Sequence, residues 1–245
     1  MVNQVPSLAK ESDVAAVAGQ LYETGQYALA AQAYQQLVDQ GYADSALFYN
    51  LGNAYYRQGD LGHAILNYRR AGGLAPRDED IRANLELARE QIVNPVEGVT
   101  GNESLFSHLA NFTRNWLTLN ELALMALGLW VLLALLIMAF INRRRGSRMW
   151  AGLQYAVLTA ALTLLLTVIA LGSRLYEDYS RLEGVIVASE VNVTTSPDGQ
   201  GETVFALHSG GEVEIAEQRG SWVRLILPDQ SDKQGWVPAT VVEKI

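Results

Sequence analysis

LALMALGLWVLLALLIMAFI, Leu122 to Ile141, is twenty residues without a charge, and after Asn142 it is followed by Arg143, Arg144, Arg145 and Arg148. A second charge-free stretch, MWAGLQYAVLTAALTLLLTVIALGS, runs from Met149 to Ser173. At roughly 1.5 Å rise per residue the first run is about 30 Å long, the thickness of a bilayer's hydrocarbon core. A core helix of a soluble protein would carry a polar face, and neither run has one. The pair reads as a transmembrane helical hairpin over residues 119–173, with its spans at about 122–141 and 150–172.

The arginine loop orients the hairpin. Short loops rich in Lys and Arg stay on the cytoplasmic side. Arg143, Arg144, Arg145 and Arg148 therefore place residues 142–149 in the cytosol and both flanking soluble parts outside the cytoplasmic membrane. Export of a long N-terminal part calls for a signal, and Met1 to Lys10 has no charged n-region followed by an apolar h-region. Two readings stay open: a signal removed from this version of the sequence, or the reverse orientation.

Charge and composition bound the function. The 245 residues carry 18 Lys and Arg against 26 Asp and Glu, and without the four loop arginines the balance is 14 to 26. Soluble parts this acidic argue against nucleic acid or anionic lipid as their ligand. There is no cysteine, hence no disulfide framework and no thiolate chemistry. His63, His108 and His208 lie in three different regions without ligand spacing, and no nucleotide-binding glycine loop, zinc spacing or nucleophile elbow is present. Neither a cofactor, a metal nor an enzymatic activity is expected.

Residues 11–92 read as helical, and 11–78 of them repeat with a period of 34. Gly25, Ala30 and Tyr34 recur as Gly59, Ala64 and Tyr68, each 34 residues later. Leu51, Gly52, Tyr55, Ala64, Tyr68, Ala71 and Pro76 resemble the tetratricopeptide pattern. Gly52 and Ala64 are small where two helices would cross closely, and Pro76 ends the second helix. Ile81, Leu85 and Ala88 form the apolar stripe of a capping helix. The expectation is an α-helical tetratricopeptide solenoid of two repeats and a cap, fewer repeats than such arrays need alone, so a partner or the cap must supply contacts. That resemblance puts Tyr22, Tyr49, Asn53, Tyr56 and Arg57 on the concave face, as a groove for a protein partner. Packing tyrosines with one wet end are the alternative.

Asn94-Pro95 and Gly98 to Asn102 mark a linker within residues 93–118. Leu105, Leu109, Phe112 and Trp116 then share a helical stripe suited to the membrane interface. Thr118 and Glu121 have capping-box spacing at the start of the first span. In the second span Gly152, Ala156, Thr159, Thr163 and Thr167 form a small-residue strip, expected to pack against the first. With no ionisable residue in either interior, the hairpin reads as an anchor.

From 182 to 245 the pattern changes to period two, with strands expected at 185–188, 191–194, 204–207, 212–216, 222–227 and 236–237. Asp198-Gly199 and Arg219-Gly220 supply turns. Val191-Asn192-Val193, Gly210-Gly211, Gly220-Ser221-Trp222-Val223 and Gly235-Trp236-Val237-Pro238 resemble the bacterial SH3-like domain, an all-β barrel. Trp222 and Trp236 are its candidate surface residues for wall peptide, glycan or protein; closing the barrel is the other reading of Trp236.

The order of parts, with Pro76-Arg77-Asp78-Glu79-Asp80-Ile81, Asn84-Leu85 and Leu117-Thr118-Leu119-Asn120-Glu121-Leu122, resembles the BatE family of Bacteroides-type aerotolerance (Bat) operons. The resemblance implies an envelope protein working beside a MoxR-type ATPase and membrane-anchored von Willebrand A proteins, in stress tolerance or complex assembly. The expected function is a membrane-anchored interaction scaffold. A peptidoglycan-binding module that uses the barrel is the alternative.

Overall fold

Residues 11–92, 109, 112–113, 116–142, 148–180, 182–199, 201–227 and 230–245 are described by the computed structural model of the chain. Five helices come first: α1 (Glu11–Glu23), α2 (Tyr27–Asp39), α3 (Ser45–Gln58), α4 (Leu61–Leu74) and α5 (Glu79–Arg89). Each packs on its neighbour in sequence. The 34-residue recurrence extends to the turns. Gly25 and Gly59 both take left-handed φ, 77° and 82°, which a side chain would resist. Gly25 N–H donates to Tyr22 O and Gln26 N–H to Leu21 O; one period later Gly59 donates to Tyr56 O and Asp60 to Tyr55 O. Asp44, Asp60 and Asp78 cap α3, α4 and α5 by accepting from first-turn N–H groups.

The small residues do what their size allows. A methyl group on Gly52 would stand 2.8 Å from the Tyr68 ring, so only glycine lets α3 and α4 approach this closely. Ala18, Ala30, Leu51, Ala54 and Ala64 are completely buried, and so are Ala71 and Ala88. The α5 stripe seats Ile81 and Ala88 in this core, as a cap requires.

After the long helices come seven strands: β1 (Leu182–Ile186), β2 (Glu190–Thr194), β3 (Thr203–His208), β4 (Glu212–Arg219), β5 (Trp222–Leu227), β6 (Gln230–Pro238) and β7 (Val242–Lys244). They form one antiparallel sheet in the order β3-β2-β6-β5-β4-β1-β7. Every expected strand is present, and β7 is additional. The barrel expectation needs correction, because the sheet does not close: β3 and β7 are end strands unpaired with each other. The β2–β6 seam rests on a single pair, Thr194 with Trp236, and β7 is three residues long. Neither offers the continuous ladder that closure requires. Ile186, Val193, Val213, Leu225 and Val237 fill the core of the sheet.

Two further helices, α6 (Leu119–Ile141) and α7 (Arg148–Ser180), are long and apolar enough to cross a membrane. Thr118 and Glu121 make the complete capping box that their spacing suggests. On α6, the less exposed positions are Leu122, Ala126, Leu129, Leu133, Leu136 and Phe140. On α7 they include Val157, Ala160, Leu164, Thr167, Leu171 and Arg174. Both rows alternate steps of four and three, the seam of a left-handed helix pair. Phe140 stacks on Trp150 at 5.3 Å between centroids. The strip expected at this contact lies elsewhere: Gly152, Thr159 and Thr163 are exposed, and only Ala156 and Thr167 are sheltered. Thr159 and Thr163 satisfy their hydroxyls on carbonyls of their own helix, Ala156 and Thr159, and so need no partner helix. Arg174, near the end of α7, is buried and donates to Leu117 O at 2.8 Å, just before the α6 cap.

Arg148 opens α7, while Arg143, Arg144 and Arg145 lie outside the described residues, as does Leu105 of the juxtamembrane stripe. Phe112 and Trp116 of that stripe are exposed. By packing, the chain divides into two units: one holds α1–α5 together with the whole sheet, the other holds the two long helices.

Candidate functional site

The five residues expected to line a groove are on the helical array, in two groups. Tyr49, Asn53 and Tyr56 follow one another at steps of four and three, and so share one face of α3. α5 lies along that face. Asn84 Nδ2 donates to Tyr49 Oη at 2.9 Å and to Asn53 Oδ1 at 3.0 Å. Tyr68 Oη donates to the same Asn53 oxygen at 2.7 Å, and Gln91 bonds to the Tyr56 hydroxyl. Tyr22 and Arg57 are joined through Tyr27. Tyr22 packs edge-on against Tyr27 at 5.3 Å, and the Arg57 guanidinium sits 4.6 Å above the Tyr27 ring and bonds its hydroxyl.

The face is therefore a band of phenol and amide groups with one exposed cation, Arg57, at its edge. Burial raises the Tyr68 hydroxyl above the ordinary tyrosine range, so it stays a neutral donor to Asn53. These groups bond one another within the array, so what remains to meet a partner is their partly exposed edge together with Arg57. Among the described residues, no group of three or more His, Asp or Glu is arranged to hold a metal ion. Tyr27 and Gln91, missed from the sequence alone, also belong to this face, while Tyr68 lies buried beneath it. A signal existed: Asn84 and Gln91 are seven residues apart, the same interval as Tyr49 and Tyr56.

The two tryptophans of the sheet differ. Trp236 is 6% exposed and lies under the Arg219 guanidinium, 5.2 Å from the ring centre, so it belongs to the core and not to a surface. It stands on β6 next to Gly235 and Val237, both buried, where the strand crosses from β5 to β2. Trp222 is partly exposed, at the start of β5, and an atom added to Gly199 would stand 3.2 Å from its ring. Trp222 is the accessible aromatic of the pair.

A second concentration of polar chemistry, not anticipated from the sequence, joins α4 and α5 to the sheet. Arg69 pairs with Glu183 and, at 2.8 Å, with Glu212; Arg89 pairs with Glu212 at 2.7 Å. Arg70 donates to Lys244 O at 2.6 Å and lies 3.7 Å from Glu243. His63 is held between Asp60 at 2.8 Å and Glu243 at 3.6 Å, with its ring stacked on Tyr55. Hydrogen bonds to Asp60 and then Glu243 outweigh burial and raise the His63 pKa to about 9, so the imidazole is charged at neutral pH. For Glu243 the same bond from His63 leads, and its carboxyl is held below the usual range. Burial pushes Asp60 up, but the His63 bonds prevail and it too is lowered.

No family model matches this chain, and no curated protein matches it.

Proposed function

We propose that this protein is a membrane-anchored, non-catalytic interaction scaffold of the bacterial cell envelope. The observation that carries the membrane part is the exposure of the long helices. Leu124, Trp130, Leu135 and Met138 of α6 and Leu158, Leu162 and Leu165 of α7 are all more than half exposed. A soluble protein buries such residues or aggregates, whereas hydrocarbon solvates them. The arginine loop then argues for soluble parts outside the cytoplasmic membrane.

The scaffold part draws on the recurrent helix pairs and the phenol–amide face they display. In this reading the array is a short tetratricopeptide solenoid and the sheet an SH3-like domain. The working partners are the membrane-anchored von Willebrand A proteins and MoxR-type ATPase that the BatE resemblance implies. The wall-binding alternative rests on the sheet, and with Trp236 in the core only Trp222 of its two aromatics is accessible.

Capture from native membranes tests the proposal. The detergent-solubilised protein should recover a von Willebrand A protein, and Tyr56→Ala with Arg57→Ala should weaken that recovery roughly thirtyfold, since a hot-spot loss of about 2 kcal/mol is of that size. Trp222→Ala should leave it nearly unchanged. Cosedimentation with isolated peptidoglycan that is abolished by Trp222→Ala, with capture insensitive to the double change, would reject the scaffold in favour of wall binding.

A further inference from the structure

The geometry points to a single soluble body interrupted by the hairpin: the sheet is the terminal cap of the helical array, and the two segments that flank α6 and α7 occupy the same side of the membrane. The membrane clause rests on reading α6 and α7 as spans; the docking of sheet on array does not.

Three kinds of contact carry it. The first is apolar. Val185 of β1 is completely buried, and the other buried members of its cluster are helical: Ala64, Ile65, Leu66, Tyr68 and Ala88. The second is close backbone approach. Gly62 N–H donates to Ser209 Oγ at 2.9 Å, and an added methyl there would stand 2.6 Å from Ile186 O. Gly210, at φ 91°, faces Ile65 in the same way, with an added methyl 2.9 Å from Ile65 Cδ1. The third is charge. Among the described residues, the cations that bridge the two parts are His63, Arg69, Arg70 and Arg89 of α4 and α5. Their anions, Glu183, Glu212 and Glu243, come from the sheet.

Each part supplies what the other lacks. Two repeats are too few to close their own core, and the last face of such an array needs a cap with a polar exterior. The sheet provides it against α4, beside α5. A short end strand in turn exposes backbone groups, and Arg70 covers a carbonyl of β7. A chain that crosses a membrane between two such halves must cross it an even number of times for them to meet. The two apolar helices satisfy this, whichever side the loop arginines select.

The chain has no cysteine, so placed thiols report cleanly. Arg70→Cys with Lys244→Cys in the full-length protein, in native membranes, should be joined within one molecule by a short bifunctional maleimide. The linked peptides are identified by mass spectrometry. Each single variant should react with a membrane-impermeant maleimide from the same side. The added charge reversal Glu212→Arg should abolish most of the linkage, and Arg69→Glu with Arg89→Glu should restore it. Failure to link, or labelling of the two positions from opposite sides, overturns the inference. Alkaline carbonate extraction separates the two claims. Release of the protein into the supernatant would refute the spans, while linkage persisting in the released protein would still support the docking.

Discussion

Replacing Gly62 by alanine distinguishes a docked sheet from an undocked one by the sign of its effect. Gly62 is in the first turn of α4, with ordinary helical backbone, so in isolation alanine would be favoured, by up to about 1 kcal/mol. Against the sheet the balance reverses. The new methyl would lie 2.6 Å from Ile186 O, 2.6 Å from Ser209 Oγ and 2.9 Å from Val187 Cα. Two of these are backbone atoms of the sheet and cannot rotate away. Overpacking of this kind costs about 1–3 kcal/mol, here toward the upper end. Displacing the Gly62–Ser209 hydrogen bond costs about 1 kcal/mol more. After the helix preference is subtracted, a loss of about 3 kcal/mol remains, which lowers Tm by about 6–12 °C in a domain of this size. Gly73, on the same helix, has nothing within 4 Å of an added methyl, so Gly73→Ala should raise Tm by a few degrees. Thermal unfolding of the detergent-solubilised protein, followed by far-UV circular dichroism, reads both. If Gly62→Ala raises Tm as Gly73→Ala does, no sheet stands against α4 and the docking argument fails.

The interface charges set a pH window. His63 has its pKa raised from 6.5 to about 9, so its contribution is fully present below 6.5 and is lost as pH rises through about 9. Asp60 and Glu243 are lowered from 3.8 and 4.5, so theirs is present above those values and is lost on acidification. Resistance to unfolding should thus peak between the two limbs, and His63→Gln should flatten the alkaline one, by about 1–2 kcal/mol after allowance for solvent screening; an unchanged alkaline limb contradicts the assignment. Trp236→Ala should cost about 3–5 kcal/mol in denaturant titrations monitored by near-UV circular dichroism, and Trp222→Ala markedly less, with equal losses showing that Trp236 is not a core residue.

Local patterns were legible because local physics wrote them. A charge-free run long enough to span hydrocarbon needs no partner to be recognised, and α6 and α7 follow it closely. Gly25 and Gly59 mark equivalent turns because both take a backbone conformation that other residues resist, and that requirement repeats with the chain. Thr118 and Glu121 cap α6 through atoms three residues apart. Alternation of apolar residues disclosed six of the seven strands, and the three-residue β7 was too short to show a period.

Other features depended on which surfaces meet. Arg69 and Glu183 are 114 residues apart, and Arg89 and Glu212 are 123 apart, with the hairpin between them. Nothing near Arg69 separates it from a solvated surface arginine. The seam between α6 and α7 had a rival at the same helical spacing, the strip from Gly152 to Thr167, and only the position of the opposite helix selects one of them. Trp222 and Trp236 occupy equally apolar strand contexts, yet one is buried under Arg219 while the other is partly exposed. Helices, turns and apolar runs are written in the chain, since each depends on neighbours within a few residues. That array and sheet form one body is not, because the contact is made between segments the chain keeps far apart.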